Sequence, residues 1–140
     1  LALANKSAMS LSDKFCVDRH KKSFYDLVKN ELDIIFANEQ EIMELIDAKS
    51  FDDVIEFGKD LSKKLVVTRS DKGSIAISGS EVVECEGQKN LKIIDLTGAG
   101  DLFAAGFLHG YINTMSTKES LKKGTEMASK IIQKIGARLN

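Results

Sequence analysis

Asp95, Thr97, Gly98, Ala99, Gly100 and Asp101 fall within one seven-residue stretch, between the β-branched run Lys92-Ile93-Ile94 and the apolar stretch from Leu102 to Phe107. The β-branched run suits a buried strand end. The segment from Asp101 onward is Ala-rich, apolar, of helical length and interrupted by glycine, which reads as a buried helix. Between them, Gly-Ala-Gly lets backbone approach a ligand closely. A strand, a tight small-residue turn and a helix start aim several backbone N–H groups at one spot, and the positive end of the helix dipole adds to their pull. That is an anion site, most often for phosphate. Asp101 is then out of place, because a carboxylate repels phosphate. Either it caps the helix, or it takes a proton from a hydroxyl that attacks the phosphate.

Two familiar phosphate loops do not fit. No Lys-Ser or Lys-Thr follows a glycine pair with P-loop spacing. The dinucleotide fingerprint fails because Phe103 stands at its third glycine. The remaining pattern, Asp95-Leu96-Thr97-Gly98-Ala99-Gly100-Asp101, resembles the C-terminal signature of the ribokinase (PfkB) family of sugar and nucleoside kinases. The resemblance implies that Asp101 is the base that deprotonates the acceptor hydroxyl. It also implies that the amides of Gly98, Ala99 and Gly100 form the anion hole for the transferred phosphoryl group. Asp95 and Thr97 would help hold a monovalent cation such as K+, with backbone oxygens from Ile131, Lys134 and Gly136. Leu96 replaces the Thr or Asn that relatives often carry.

Other segments extend the resemblance. After the apolar run Asp33 to Ala37 come Asn38 and Glu41, the family's N-x-x-E pair, which organises Mg2+ and its waters. One amide and one carboxylate suit a hard, hydrated cation; without the resemblance the same pair reads as a capping box. After Leu65-Val66-Val67, the turn from Thr68 to Gly73 looks like the family's nucleotide-contacting turn, implying ATP contacts from Thr68, Arg69 and Gly73. Thr125 lies near the family's adenine contact, where many relatives carry Asn. The segment from Leu11 to His20, with Gly136-Ala137-Arg138, is similar to the adenosine-kinase-like branch. A typical relative has Pro where Lys14 stands.

The elements that must position these residues follow from period and punctuation. Ser7 to Leu11 reads as a strand, Ser12 to Lys14 as a turn, Asp18 to Asn30 as a helix, and Asp33 to Ala37 as a strand. Asn38 caps a helix with Ile42, Leu45 and Ile46 on its apolar stripe, and Ser50 with Asp53 opens another. Leu65 to Thr68 is a buried strand. Ser74 to Ser78 and Glu81 to Cys85 alternate about Gly79-Ser80, which predicts a hairpin. Ser116 and Glu119 box the last helix, whose inner face is Leu121, Gly124, Thr125, Ala128, Ile131, Ile132 and Ile135. Gly136 is its C-cap candidate. The expected fold class is α/β, a ribokinase-like, mostly parallel sheet flanked by helices with a small antiparallel hairpin.

Composition narrows the classes. The 140 residues are 43% hydrophobic, ordinary for one globular core, and carry a net charge of −1, which gives no reason to expect nucleic acid or an anionic membrane as partner. No apolar run nears the ~18 residues of a spanning helix. Cys16 and Cys85 are read as free thiols of a cytoplasmic protein, and His20 and His109 as surface or packing residues. The chain starts at Leu1 and the resemblance spans essentially all of it, as the C-terminal, nucleotide-binding half (residues 1–140) of a longer kinase domain. The missing N-terminal half would bring most residues for the sugar or nucleoside acceptor. Without it, the chain is expected to expose an apolar sheet edge and to be inactive alone. The competing readings are a non-catalytic nucleotide- or anion-binding module of the same fold and a Rossmann-type dinucleotide-binding domain.

Overall fold

The structure, a computed structural model, describes residues 6–11, 14–88 and 98–133. Its elements are β1 (Ala8–Ser10), α1 (Lys14–Arg19), α2 (Lys21–Asn30), β2 (Ile34–Asn38), α3 (Glu39–Leu45), α4 (Phe51–Asp60), β3 (Lys64–Thr68), β4 (Ser74–Ser78), β5 (Glu81–Cys85), α5 (Ala99–Ile112) and α6 (Thr117–Ile132). One 3-10 turn, Ser70–Lys72, lies between β3 and β4. The five strands form one sheet in the order β1-β2-β3-β4-β5. β1, β2 and β3 are parallel. The connections to β4 and β5 are too short for a crossover, so those strands run antiparallel to their predecessors. The fold is therefore α/β with an open, mixed sheet.

The backbone divides into two compact units, Leu1–Thr68 with Ala76–Val82, and Arg69–Ile75 with Val83–Asn140. In the first, Ile35, Leu65, Val66 and Val67 are fully buried strand residues, as suits strands covered on both faces. α3 packs on β2 and β3, and α1, α2 and α4 pack on α3. Gly58 of α4 lies so close to β4 that a Cβ there would come within 2.8 Å of Ile77. At the start of β2, the Asp33 carboxylate accepts the Ser7 N–H at 2.8 Å. That backbone bond is the chief cause that holds Asp33 below its ordinary value; desolvation opposes it, and the Ser7 hydroxyl and then the charges of Lys63 and Lys6 add to the lowering.

The second unit is built on α5 and α6. Their glycines make the seam: a Cβ at Gly106 would sit 2.7 Å from the Lys123 carbonyl oxygen, and one at Gly124 would sit 2.8 Å from that of Phe103. Phe103, Phe107, Leu121 and Ile131 fill the space around it. The Lys118 ammonium donates to the Glu84 carbonyl, tying the start of α6 to β5.

Both hairpin strands have the bounds that alternation predicts. The single helix expected over Asp18 to Asn30 is instead two. α1 ends at Arg19, and His20, with φ −121° and ψ 33°, breaks the helix before α2. Lys14, expected in a turn, opens α1. On α6, Ser120, Leu121, Gly124, Ser129 and Ile131 are buried, while Thr125, Ala128 and Ile132 are only half-buried. Two serines thus replace three of the expected inner residues. The strand expected at Lys92-Ile93-Ile94 lies outside the described residues.

Candidate active site

α5 begins at Ala99, directly after Gly98, which is left-handed at φ 80° and ψ 1° and caps the helix with no side chain. The left-handed turn is what glycine permits at little steric cost. The first bond of the helix runs from the Leu102 N–H to the Gly98 carbonyl at 3.0 Å. The N–H groups of Ala99, Gly100 and Asp101 therefore have no acceptor within the helix. Asp101 is exposed, in the first turn. It is the third helical residue and not the N-cap. Gly100 is exposed too, and a Cβ built on it would meet nothing within 4 Å. A helix end whose leading N–H groups have no intrahelical acceptor, beside an accessible carboxylate, can gather an oxyanion and accept a proton beside it. Asp95 and Thr97 lie outside the described residues, as do Lys134 and Gly136. Ile131 is a buried α6 residue.

In the other unit, Asn38 ends β2 and is in register with Thr68 at the end of β3. Both stand at the carboxyl ends of parallel strands, where open α/β sheets bind ligands. Asn38 and Glu41 form a full capping box. The Asn38 Oδ1 accepts the Glu41 N–H at 2.8 Å, and the Glu41 Oε2 accepts the Asn38 N–H at 2.8 Å. Glu41 is 6% exposed and Asn38 is exposed. The amide and carboxylate are thus held side by side at a strand end. Amide and carboxylate oxygens are a donor set that a magnesium ion accepts, with water completing its shell.

The turn after β3 is tight. The Arg69 N–H donates to the Gly73 carbonyl at 2.7 Å and the Gly73 N–H to the Ser70 carbonyl at 3.1 Å. Ser70 is left-handed at φ 54° and Gly73 adopts φ 93°, ψ −137°. Beneath the turn is a cavity of about 70 Å³, lined by Arg69, Lys72, Ser74, Ile75, Glu84, Cys85 and Glu86. Among the described residues, the buried Ser74 Oγ has no hydrogen-bond partner. On α6, Thr125 Oγ1 is likewise buried and unpartnered among the described residues, while its carbonyl accepts the Ser129 hydroxyl at 2.6 Å. His20 and His109 are exposed, and Cys16 and Cys85 are free thiols. No helix among the described residues is long and apolar enough to cross a membrane.

Comparison with known proteins follows the same lines. The model of the pfkB family carbohydrate kinases matches residues 2–140. The chain is 33% identical over 111 residues to a cytidine kinase of Thermococcus kodakarensis, covering 78% of this chain and 40% of that protein. It is 30% identical over 133 residues to a ribokinase of Lactococcus lactis, covering 89% and 43%. Among solved structures, the adenosine kinase of Sinorhizobium meliloti superposes with a TM-score of 0.91 at 40% identity, covering 96% of this chain and 41% of that one. The chain thus spans about two fifths of the length of the relatives it matches.

Proposed function

Because the chain belongs to the pfkB family of carbohydrate kinases, whose relatives here are sugar and nucleoside kinases, we propose that it is the nucleotide-binding part of a kinase. That kinase transfers the γ-phosphoryl group of ATP to a hydroxyl of a sugar or nucleoside. Asp101 accepts the proton of the attacking hydroxyl as the new O–P bond forms. The amides of Gly98, Ala99 and Gly100, with the α5 dipole, stabilise charge on the transferring oxygens. Thr68, Arg69 and Gly73 hold the donor nucleotide, and Thr125 lies near its base. Asn38 and Glu41 are the residues that would organise magnesium, which when bound neutralises charge on the phosphate oxygens. Asp95 and Thr97, with backbone oxygens of Ile131, Lys134 and Gly136, would hold the monovalent cation.

The observation that carries this reading is the α5 terminus, an exposed carboxylate one turn into a helix whose leading N–H groups have no intrahelical partner. The acceptor site is assigned to sequence that the longer relatives possess and these 140 residues do not. The test is a phosphoryl-transfer assay with magnesium and ATP across sugars and nucleosides. The complete natural chain containing this sequence should phosphorylate at least one of them, and the 140 residues alone should phosphorylate none. Magnesium–ATP binding without turnover in the complete chain would instead favour a non-catalytic nucleotide module.

A further inference from the structure

The turn that follows β3 is pressed against another stretch of backbone with no room for a side chain on either side. A Cβ on Gly73 would lie 2.0 Å from the Cys85 carbonyl oxygen and 2.6 Å from the Gly87 nitrogen. From the opposite side, a Cβ on Gly87 would lie 2.8 Å from the Asp71 carbonyl oxygen and 3.3 Å from the Gly73 nitrogen. Two glycines face each other across this seam, and each is demanded by the other's backbone. Gly73 is also committed by its positive φ. Gly87 is not among the residues with positive φ, so close approach is what its missing side chain serves.

The turn's internal hydrogen bonds, Arg69 to Gly73 and Gly73 to Ser70, make it a compact unit that can shift as a body. The backbone of Cys85 to Gly87 lies directly against Asp71 and Gly73, so segment 85–87 is a strut on which the turn rests. We infer that Gly87, through its contact with the Asp71 carbonyl, is a positioning residue that sets the place of the donor-nucleotide turn 69–73. The inference rests on the proposed kinase reading for what the turn binds, and on the geometry alone for what holds it.

Gly87→Ala is the direct test, made in the complete natural chain. The added methyl meets a carbonyl oxygen that can retreat only by moving the turn. A displaced binding loop that leaves the reacting groups in place should raise KM for ATP about tenfold while kcat and the acceptor KM stay within about twofold. Gly79→Ala is the control. Its φ is +60° with nothing within 4 Å, so it strains the hairpin tip without touching the turn and should leave the ATP KM unchanged. If both variants lower the melting temperature and neither moves the ATP KM, Gly87 is structural only and the inference is overturned.

A second measurement does not depend on the variant folding. In the wild-type chain, magnesium–ATP should slow amide exchange at 85–87 as well as at 69–73. Slowing at 69–73 alone would sink the role of Gly87. No slowing at either stretch would instead sink the nucleotide reading of the turn.

Discussion

At the N-terminus of α3, the side chains of Asn38 and Glu41 close on each other's backbone N–H groups. At the N-terminus of α5, a left-handed glycine precedes the helix, no side chain among the described residues caps it, and the carboxylate in its first turn stands exposed. Both ends carry an acidic residue at the third helical position, and sequence patterning treats them alike. The structure separates them. In α3 the carboxylate is 6% exposed and spends one oxygen on its own helix, so its first task is to stabilise. In α5 the leading donors have no acceptor within the helix; if no side chain caps them, such an end forgoes about 1 kcal/mol, a loss that makes sense where the donors serve a ligand.

After the base itself, the largest effect that tests this contrast is expected from Gly100→Ala. The position is helical and exposed, and a methyl there meets nothing within 4 Å. The variant should be about 0.5–1 kcal/mol more stable. If phosphate must approach this backbone, turnover should nevertheless fall by about a hundredfold or more. Denaturant unfolding and a transfer assay on one preparation would show the two moving in opposite directions. Unchanged activity would make the α5 terminus an ordinary helix start.

At α3 the expectation is reversed. Asn38→Ala should cost about 1 kcal/mol of stability by removing the acceptor for the Glu41 N–H, measurable as a lower urea midpoint. Glu41→Gln keeps an acceptor oxygen at the third position, as a capping box tolerates. Stability should change by no more than about 0.5 kcal/mol, while the magnesium concentration for half-maximal activity rises. A magnesium dependence like the wild type's would leave Glu41 with the cap alone.

The smallest effect concerns Asp33, a carboxylate with a purely structural partner. Its depressed pKa means that it stabilises the fold above the ordinary aspartate value of 3.8 and loses that contribution as acid takes the pH through its lower folded value. Urea midpoints of Asp33→Asn and wild type should differ at pH 6, and the gap should narrow as the pH falls below 3.8. A gap that stays equal would refute the assignment.

Much of this contrast was legible in the residues. The hairpin strands have the predicted bounds because Gly79-Ser80 sets the turn between two β-favouring runs, although β4 is buried on both faces and does not alternate. The boxes at Asn38, Ser50 and Ser116 are all present, since each depends on two residues at fixed spacing. Period alone did not reveal the break at His20, where neither Gly nor Pro marks the chain. Nor did it reveal the buried Ser120 and Ser129. An apolar stripe skips serine, yet Ser129 satisfies its hydroxyl on the Thr125 carbonyl. Ser120 fits where Gly110 gives way, since a Cβ on that glycine would come 2.7 Å from the serine hydroxyl. Gly87 had no signal either, because its partner is a backbone atom and not a side chain. At Gly98-Ala99-Gly100-Asp101 the helix start was legible from small residues before an apolar segment, while the role of Asp101 came only from the family resemblance.

The most direct measurement of the central claim is a paired experiment on Asp101→Asn in the complete natural chain, with turnover on the preferred acceptor and calorimetry with magnesium–ATP. The substitution removes a base from an exposed site and disturbs no packing. Turnover should drop by about a hundredfold to ten-thousandfold with ATP affinity nearly unchanged. Near-normal turnover would contradict the account and return Asp101 to the role of an ordinary first-turn carboxylate.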